Sequence, residues 1–244
     1  MAWTRIEWTE CTWNPVTGCT EVSEGCRHCY ARRMAVRLQA MGQPRYRNGF
    51  EVALHPEILD APSRWKRPRF VFGNSMSDLF HEDVPDAYIR QVFTAIEVTP
   101  QHTSQILTKR SRRLALLAGE LPWPANLWMG VTVERADYAH RIGDLAATDA
   151  RVKFVSFEPL LGPLAGIDLD RVDWAIAGGE SGPGARPLDP EWARALRDQC
   201  ERESVPFLFK QWGGPHRSKR GRLLDGRTWD QYPSGTMTTT RRQA

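Results

Sequence analysis

The sequence lacks any long apolar run and any apolar leader. No stretch reaches the roughly 20 uncharged apolar residues that a membrane helix needs. The N-terminus carries Arg5 and Glu7 and has no apolar segment, which is not the pattern of a secretory signal. We therefore expect a cytoplasmic protein in a reducing compartment, with no membrane partner.

An internal repeat and a disulfide framework are also missing. The 244 residues include five cysteines, and in a reducing compartment such cysteines are more often metal ligands or nucleophiles than disulfide partners. Hydrophobic residues make up 41% and charged residues 25%, which argues against wholesale disorder. A chain of this length forms one large domain or two small ones.

Positive charge is concentrated towards the C-terminal end. From Lys210 onward the chain has eight Lys or Arg and two acidic residues, although its net charge is only +4. Two short basic clusters, at 64–69 and 109–113, lie in the rest of the sequence. Such patches contact phosphates in some proteins, and in more of them they are simply solvated. We expect a domain at 1–212 followed by a basic, flexible C-terminal extension at 213–244, in which a short segment around Leu223, Leu224 and Trp229 is a candidate for returning to the domain.

Short apolar runs alternate with amphipathic helical patterns along residues 70–209. Near-continuous apolar strands separated by helices are typical of a parallel sheet covered by helices. With a first strand near 12–16, the pattern predicts about seven βα units. The predicted fold class is α/β, as a partial or full TIM-like (β/α) barrel or as an open doubly wound sheet.

Polar residues follow the predicted strands at their carboxyl ends, where parallel-sheet proteins collect their chemistry. A buried carboxylate there binds a hydroxyl or a cation, and a pair of glycines permits close backbone approach to a ligand. Simpler roles stay open, since several of these residues would also serve as turn caps or surface charges. The candidate binding residues are Ser75, Ser77, Asp78, Lys109, Glu158, Gly178, Gly179, Glu180, Lys210 and Gln211.

Three cysteines lie close together in a polar, turn-forming segment at 19–29. Two residues separate Cys26 from Cys29, so that both sulfurs can face one metal centre. The longer gap after Cys19 has Gly25 just before its end, which allows the chain to wrap back. Thiolates are soft ligands that suit zinc or iron–sulfur clusters, so this loop is the predicted metal site.

The need for a fourth protein ligand distinguishes a zinc site from an iron–sulfur cluster. Structural zinc takes four protein ligands, and the candidates here are Cys11, His28 or a distant histidine, because a second Cys-x-x-Cys pair is absent. Three thiolates suffice for a [4Fe–4S] cluster that leaves one iron open to a small molecule. The missing pair favours the cluster. Whether Cys11 contributes stays open, and Cys200 is expected to pack in the core.

These motifs resemble the radical S-adenosylmethionine superfamily, in which a three-cysteine loop follows the first strand of a (β/α) barrel. The string Gly-Cys-Arg-His-Cys-Tyr-Ala at 25–31 is similar to that of spore photoproduct lyase-like proteins. Two features depart from the superfamily pattern: the first gap is six residues instead of three, and His28 precedes the last cysteine. Four further phrases resemble a phage-associated three-cysteine-motif family of unknown function, at 13–19, 74–80, 156–161 and 178–182.

The resemblance implies that Cys19, Cys26 and Cys29 hold a [4Fe–4S] cluster whose open iron binds S-adenosylmethionine. One electron, supplied by an electron-donor protein, would then cleave S-adenosylmethionine to a 5′-deoxyadenosyl radical that abstracts hydrogen from the substrate. The same resemblance assigns the residues at the strand ends to this cofactor: Ser75, Ser77 and Asp78 to its ammonium group, Lys109 to its carboxylate, and Glu158 and Glu180 to its ribose and adenine side. Lys210 and Gln211 would face the substrate.

The sequence therefore predicts an enzyme, a radical S-adenosylmethionine protein. The basic clusters and the similarity to a branch that repairs DNA lesions favour a nucleic-acid or nucleotide substrate. The alternative from another class is a zinc-stapled nucleic-acid-binding module without catalysis. A third hypothesis is an inactive relative that keeps the cluster and has lost cofactor binding.

Overall fold

The structure is a computed structural model that describes residues 2–4, 6–215 and 221–234. Strands and helices alternate along these residues, with short 3-10 helices between them. The strands are β1 (Ala2–Trp3), β2 (Cys11–Trp13), β3 (Val16–Thr17), β4 (Ala53–Leu54), β5 (Phe70–Gly73), β6 (Thr103–Thr108), β7 (Leu127–Thr132), β8 (Val152–Phe157), β9 (Trp174–Gly178) and β10 (Phe207–Gln211). The helices are α1 (Tyr30–Ala40), α2 (Asp86–Glu97), α3 (Ser111–Leu117), α4 (His140–Ala146) and α5 (Pro190–Arg202).

The main sheet has the order β1-β2-β5-β6-β7-β8-β9-β10. Seven of these strands, β2 and β5 to β10, run parallel to one another, and β1 is antiparallel to β2. The sheet curls into a partial TIM-like barrel, and among the described residues no strand pairing closes it. The predicted fold class is confirmed in its partial-barrel form.

The connections follow from the requirement that parallel strands be joined by crossovers. Helices α1 to α4 cross over between successive parallel strands from β2 to β8, and α5 connects β9 to β10. The described link at 158–173 between β8 and β9 contains two glycines and two prolines and holds no α-helix. The first parallel strand ends at Trp13 and not near residue 16, because Pro15 lacks the N–H that a continuing ladder needs.

Two apolar layers lie on opposite faces of the sheet, as expected for buried parallel strands with side chains alternating between faces. The larger layer packs β-strand residues such as Val131 and Val155 against α2 to α5. The smaller layer fills the inside of the curl with the rings of Trp8, Phe154 and Trp174 among others. Trp8 comes from the N-terminal segment and packs 6.0 Å from Phe154, ring centre to ring centre, so this segment plugs the base of the half-barrel.

The C-terminal segment 221–234 returns to the last strand. An antiparallel bridge joins Leu208 to Asp230, and Phe209 donates its backbone N–H to the Trp229 carbonyl at 2.9 Å. Trp229 is buried, and Tyr232 packs 4.9 Å from Trp174 at the base of the half-barrel. Within the extension predicted at 213–244, these residues therefore belong to the packed body. Residues 216–220 and 235–244 of that extension lie outside the described part of the chain.

In the part of the chain that the structure describes, no helix has the length and apolarity required to span a membrane.

Candidate metal and cofactor site

A cavity of about 460 Å³ lies between the carboxyl ends of the parallel strands and the cysteine loop 19–29. Its volume is within the range of small-molecule sites. Its floor is apolar, with Trp8, Phe72 and Leu107, and its walls are polar. All predicted site residues except Cys29 and Gly178 line this cavity. They meet there because parallel strands direct their carboxyl ends to one edge of the sheet.

The five cysteines divide into two groups by position. Cys19, Cys26 and Cys29 are partly exposed on the loop that connects β3 to α1, and the first two line the cavity. Cys11 and Cys200 are fully buried in the main apolar layer. The Cys11 thiol donates to the Phe70 carbonyl at 3.6 Å, inside the sheet and away from the loop. This position excludes Cys11 from the group of loop thiols, and Cys200 packs in the core as predicted.

The donor set of the loop fits a cluster better than a single ion. Among the described residues, no three His, Cys, Asp or Glu side chains are gathered closely enough to hold one metal ion. A structural zinc ion needs four such ligands at about 2.0–2.3 Å. The sulfurs that hold an iron–sulfur cluster bind different iron atoms, so they need not converge on one point. Three partly exposed thiols beside a cavity provide that donor chemistry.

Arg110, just before α3, connects the first cysteine to the ends of β5 and β6. Its Nη1 lies 3.3 Å from Cys19 Sγ and 3.5 Å from Asp78 Oδ2, and its Nη2 donates to the Thr20 hydroxyl at 2.8 Å. Burial, together with the charge of Asp78, raises the pKa of the Cys19 thiol to about 11 even though Arg110 opposes this shift. The metal-free thiol is therefore protonated at neutral pH, and ligation would release its proton.

Asp78 is fully engaged by protein donors. Its carboxylate accepts the Thr108 hydroxyl at 2.6 Å and the backbone N–H groups of Phe80 and Lys109, each at 3.0 Å, besides the Arg110 guanidinium. These bonds tie the end of β5 to the end of β6. The role predicted for Asp78, binding a cofactor ammonium group, stays a prediction, and the observed contacts show it as an anchor for Arg110.

Glu134, at the end of β7, supports the middle of the cysteine loop. This fully buried carboxylate accepts the Ser23 hydroxyl at 2.5 Å and the Arg141 guanidinium at 2.9 Å. Gly25 packs against it so closely that a Cβ there would lie 2.4 Å from Glu134 Oε1. Lys109 Nζ lies 3.9 Å from the same oxygen, at the cavity wall. The absence of a side chain at position 25 is therefore required by Glu134.

Glu180, at the end of β9, supports the loop from the other side. It binds the Arg186 guanidinium through both carboxylate oxygens, at 2.6 and 3.0 Å, and Arg186 also donates to the Glu24 carbonyl at 2.9 Å. Burial alone would raise the pKa of Glu180, but hydrogen bonds and charge from Arg186 lower it below its usual value. On the outside, Arg33 of α1 donates to the Ser181 carbonyl at 2.9 Å.

Glu158 and Lys210 form an ion pair that faces the cavity. Lys210 Nζ lies 2.6 and 2.8 Å from the two Glu158 oxygens, and both side chains are less than one fifth exposed. Gln211 lies beside them and donates to the Ser181 hydroxyl at 2.6 Å. The sequence assigned Glu158 to the cofactor and Lys210 to the substrate, and their pairing means that a ligand reaching one would reach the other.

Ser75 and Ser77 are held by the loop that follows β5. The Ser75 hydroxyl donates to Asn14 at 3.1 Å, and the Ser77 hydroxyl donates to the Val16 carbonyl at 2.9 Å. Asn74 has a positive φ of 61° and donates from its side-chain amide to Ser77 at 2.8 Å. Both serines therefore hold this loop against the N-terminal strands, while they also line the cavity.

Of the two predicted glycines, one is required by protein packing. A Cβ on Gly179 would lie 2.1 Å from the Trp212 carbonyl oxygen, so the backbone after β10 requires glycine there. A Cβ on Gly178 would make only ordinary contacts, with the nearest atom at 3.4 Å. Protein packing therefore explains the glycine at 179 but not the one at 178, and the ligand role predicted for both stays a prediction.

Sequence reasoning missed several residues that build the site. Arg110 lies inside a basic run, and Glu134 is absent from the predicted binding residues although it follows an apolar strand. Ser23 and Arg186 lie in irregular loops that give no periodic signal. Only Glu134 offered a usable indication, since it follows an apolar strand in the same way as Glu158 and Glu180 do.

The surface charge around the cavity is carried mainly by α1 and the residues just before it. Four arginines are exposed there, and α1 has no acidic residue: Arg27, Arg32, Arg33 and Arg37. The cluster at 64–69 precedes β5 and so lies at the opposite end of the sheet. In the cluster at 109–113, Arg110 and Arg113 are engaged in ion pairs with Asp78, Glu82 and Asp86.

Comparison with known proteins gives a family but no activity. A family model described as "Protein of unknown function (DUF5131)" matches residues 3–233. No curated protein matches the chain. The solved structure of spore photoproduct lyase complexed with dinucleoside spore photoproduct is similar to this chain with a TM-score of 0.44 and 12% identity. The similarity covers 77% of this chain and 59% of that one, so the chain matches less than two thirds of that protein's length.

Proposed function

The chain belongs to the DUF5131 family of proteins of unknown function, and we propose that it is a radical S-adenosylmethionine enzyme. In this proposal Cys19, Cys26 and Cys29 hold a [4Fe–4S] cluster, and the adjoining cavity binds S-adenosylmethionine. The single observation that carries the proposal is the presence of three partly exposed thiols on one loop, two of which line the half-barrel cavity.

When bound, a reduced [4Fe–4S] cluster supplies the electron that cleaves S-adenosylmethionine reductively and starts radical chemistry. The chain's own residues position the cysteine loop and exclude water from the cavity. Arg110, Glu134 and Arg186 fix the cysteine loop over the sheet through the contacts described above. The apolar floor of Trp8 and Phe72 excludes water from the base of the cavity.

The polar wall of the cavity provides the groups that bind small molecules. Lys109, Glu158, Lys210 and Gln211 line it together with the hydroxyl of Ser156. Glu158 can accept a hydrogen bond from a ligand hydroxyl while it stays paired with Lys210, so binding leaves no buried charge uncompensated. The ribose of S-adenosylmethionine carries such hydroxyl groups, and Lys210 remains at the cavity wall for the substrate.

The substrate class that we propose is a nucleic acid or nucleotide. Support comes from Arg27 and Arg37, which are exposed just before and on α1, since exposed cations attract phosphates at long range. Arg32 contributes less because it is paired with Glu21. The engaged arginines of the 109–113 cluster and the remote 64–69 cluster do not contribute to this support. The proposal also includes an electron-donor protein, because reductive cleavage of S-adenosylmethionine consumes an electron that must be supplied to the cluster.

Metal content of protein reconstituted with iron and sulfide without oxygen tests this function. We expect about four iron atoms per chain and a brown colour. Cys26→Ala and Cys29→Ala should each abolish iron retention, whereas Cys11→Ala and Cys200→Ala should retain it, because these two thiols are buried elsewhere. Incubation with S-adenosylmethionine and a strong reductant should then release 5′-deoxyadenosine.

Other results would support the competing hypotheses. Colourless protein with one tightly held zinc ion would favour the zinc-stapled binding module. Iron-loaded protein that releases no 5′-deoxyadenosine would favour a relative that has lost cofactor binding. Loss of iron in Cys11→Ala would contradict the conclusion that Cys11 is a buried core residue and not a metal ligand.

A further inference from the structure

Arg110 makes an unusual set of contacts for a residue next to a candidate metal ligand. Its side chain is 7% exposed and reaches four partners: Cys19 Sγ, Asp78, Glu82 and Thr20. A guanidinium stays charged at every accessible pH, and burying it is unfavourable unless anions surround it. Asp78 and Glu82 supply those anions, at 3.5 and 2.9 Å.

The orientation of this guanidinium is fixed by bonds that do not involve the cysteine sulfurs. Its Nε donates to Glu82 and its Nη2 to the Thr20 hydroxyl, while Asp78 is itself held by donors from β6 and its own turn. Nη1 is the nitrogen left to point at Cys19 Sγ. A planar donor held on several sides is pre-organised, so the contact with the sulfur does not depend on side-chain rearrangement.

The three thiols of the loop are thereby unequal. Among the described residues, Arg110 is the one cation within hydrogen-bonding distance of a loop sulfur. Cys26 Sγ instead faces the Ser23 hydroxyl at 3.9 Å, a neutral and weaker partner. A cluster held by this loop would therefore have one corner beside a buried positive charge.

We infer that Arg110 is a positioning residue that sets the reduction potential of the metal centre through its hydrogen bond to Cys19; the inference rests on the proposed function. Reduction adds an electron whose charge is shared by the cysteine sulfurs. A fixed cation that donates to one of these sulfurs stabilises the reduced form more than the oxidised form. Arg110 therefore raises the potential and makes the centre easier to reduce.

A redox titration of reconstituted protein tests this role, with Arg110→Met and Arg113→Met as a matched pair. Arg113 lies three residues further on and holds the same segment, donating to the Val84 carbonyl at 2.6 Å and pairing with Asp86, without touching a cysteine. At the wild-type midpoint potential, we expect Arg110→Met to show a reduced-to-oxidised ratio at least tenfold lower, which is about 59 mV for one electron. Arg113→Met should keep the wild-type ratio.

The conservative variant separates positioning from simple loss of structure. Arg110→Lys keeps the charge but cannot reach Cys19, Glu82 and Thr20 together, so its ratio should fall between those of the wild type and Arg110→Met. If Arg110→Met does not retain iron, the lysine variant decides the question by the same titration.

Three results would overturn the inference. They are a wild-type potential in iron-loaded Arg110→Met, a wild-type potential in Arg110→Lys, or an equal shift in Arg113→Met. Failure of the proposed function is distinguishable, since wild-type protein would then take up no iron, or would take up iron and release no 5′-deoxyadenosine, before any variant is compared.

Discussion

Asp78 and Glu158 both follow a parallel strand and both line the cavity, but they are engaged differently. Asp78 is buried, with four protein donors including Arg110, whereas Glu158 pairs with Lys210 at the cavity wall. Removing one partner of a buried charge pair leaves the other charge uncompensated. Loss of the charge of Asp78 should therefore lower mainly the stability of the protein, whereas loss of the charge of Glu158 should weaken mainly ligand binding.

The first prediction compares Asp78→Asn with Glu158→Gln. Asp78→Asn should lower the free energy of unfolding by roughly 3 kcal/mol and reduce iron retention, because Arg110 loses a buried anion. Glu158→Gln should destabilise the protein less than Asp78→Asn, since Lys210 lines the open cavity and is solvated there, and should weaken S-adenosylmethionine binding instead. Urea unfolding of metal-free protein and iron analysis measure these effects. Equal destabilisation by both variants would contradict the distinction.

Buried histidines give the second prediction, a pH dependence of stability. Burial lowers the pKa of His55 and of His102 below 6.5. A group whose pKa is lowered on folding binds fewer protons in the folded state, so its stabilising effect is present above pH 6.5 and is lost as the pH falls. The free energy of unfolding should fall from pH 7.5 to pH 5.5, with a slope of at most about 1.4 kcal/mol per pH unit for each histidine.

Single substitutions show which histidines cause the dependence of the free energy of unfolding on pH. His102 Nε2 lies 3.0 Å from the Pro62 carbonyl, a contact that a glutamine amide can also make. His102→Gln should therefore flatten the dependence, while His140→Gln, at an exposed position, should leave it unchanged. A slope in His102→Gln equal to that of the wild type would show that its protonation is not responsible.

At the residue scale, the sequence predicted where the site lies better than what each residue does there. Strand-end residues such as Asp78, Glu158 and Glu180 could be placed together because parallel strands share a carboxyl edge. Their separate tasks depend on partners in irregular loops, such as Arg186 on Glu180. No periodic pattern in the sequence marks a loop residue such as Arg186. Only the structure therefore shows which carboxylates are held by protein donors and which face the cavity.

At the scale of elements, the cysteine loop 19–29 is shaped by the strands that it covers. Gly25 has no positive φ, so its backbone would accept any residue. Its restriction comes from Glu134, a fully buried carboxylate that is held by Arg141 and Ser23 and cannot move aside. A single added methyl group should therefore displace the loop without disturbing the sheet.

The third prediction is that Gly25→Ala reduces iron retention at least fivefold while the free energy of unfolding changes by less than about 1 kcal/mol. The added Cβ would lie 2.4 Å from Glu134 Oε1, and the loop would have to shift. Gly119→Ala is the control, because a Cβ there meets nothing within 4 Å. Full iron retention in Gly25→Ala would show that this close packing does not fix the loop.

Elements with a strong apolar period were predicted correctly, and those that depend on distant contacts were not. Helix α2 and strands β6 to β9 follow directly from their patterns of apolar residues. The β3–β4 pair consists of two-residue strands separated by more than thirty residues, which no local pattern indicates. In residues 221–234 the apolar residues around Leu223, Leu224 and Trp229 indicate a returning segment, but its pairing with β10 depends on contacts outside the segment itself.

At the scale of the whole molecule, charge is distributed unevenly about the sheet. The exposed arginines of α1 and the loop before it lie beside the cavity, whereas Lys66 and Arg67 are exposed at the amino end of the sheet. A polyanion that presents its reactive part to the cavity would contact the first group and not the second. The net charge of the chain cannot reveal which basic residues lie beside the cavity, since each positive charge counts the same wherever it lies.

The fourth prediction is that Arg27→Glu/Arg37→Glu weakens binding of a labelled single-stranded oligonucleotide at least tenfold at low salt. The matched double variant Lys66→Glu/Arg67→Glu changes the net charge equally and should bind within about twofold of the wild type. Each lost phosphate contact should also reduce the slope of log affinity against log salt by about 0.7. Fluorescence anisotropy over a range of salt concentrations measures both quantities. Equal weakening by the two variants would mean that binding follows net charge alone, and the proposed approach of a nucleic acid along α1 would then be wrong.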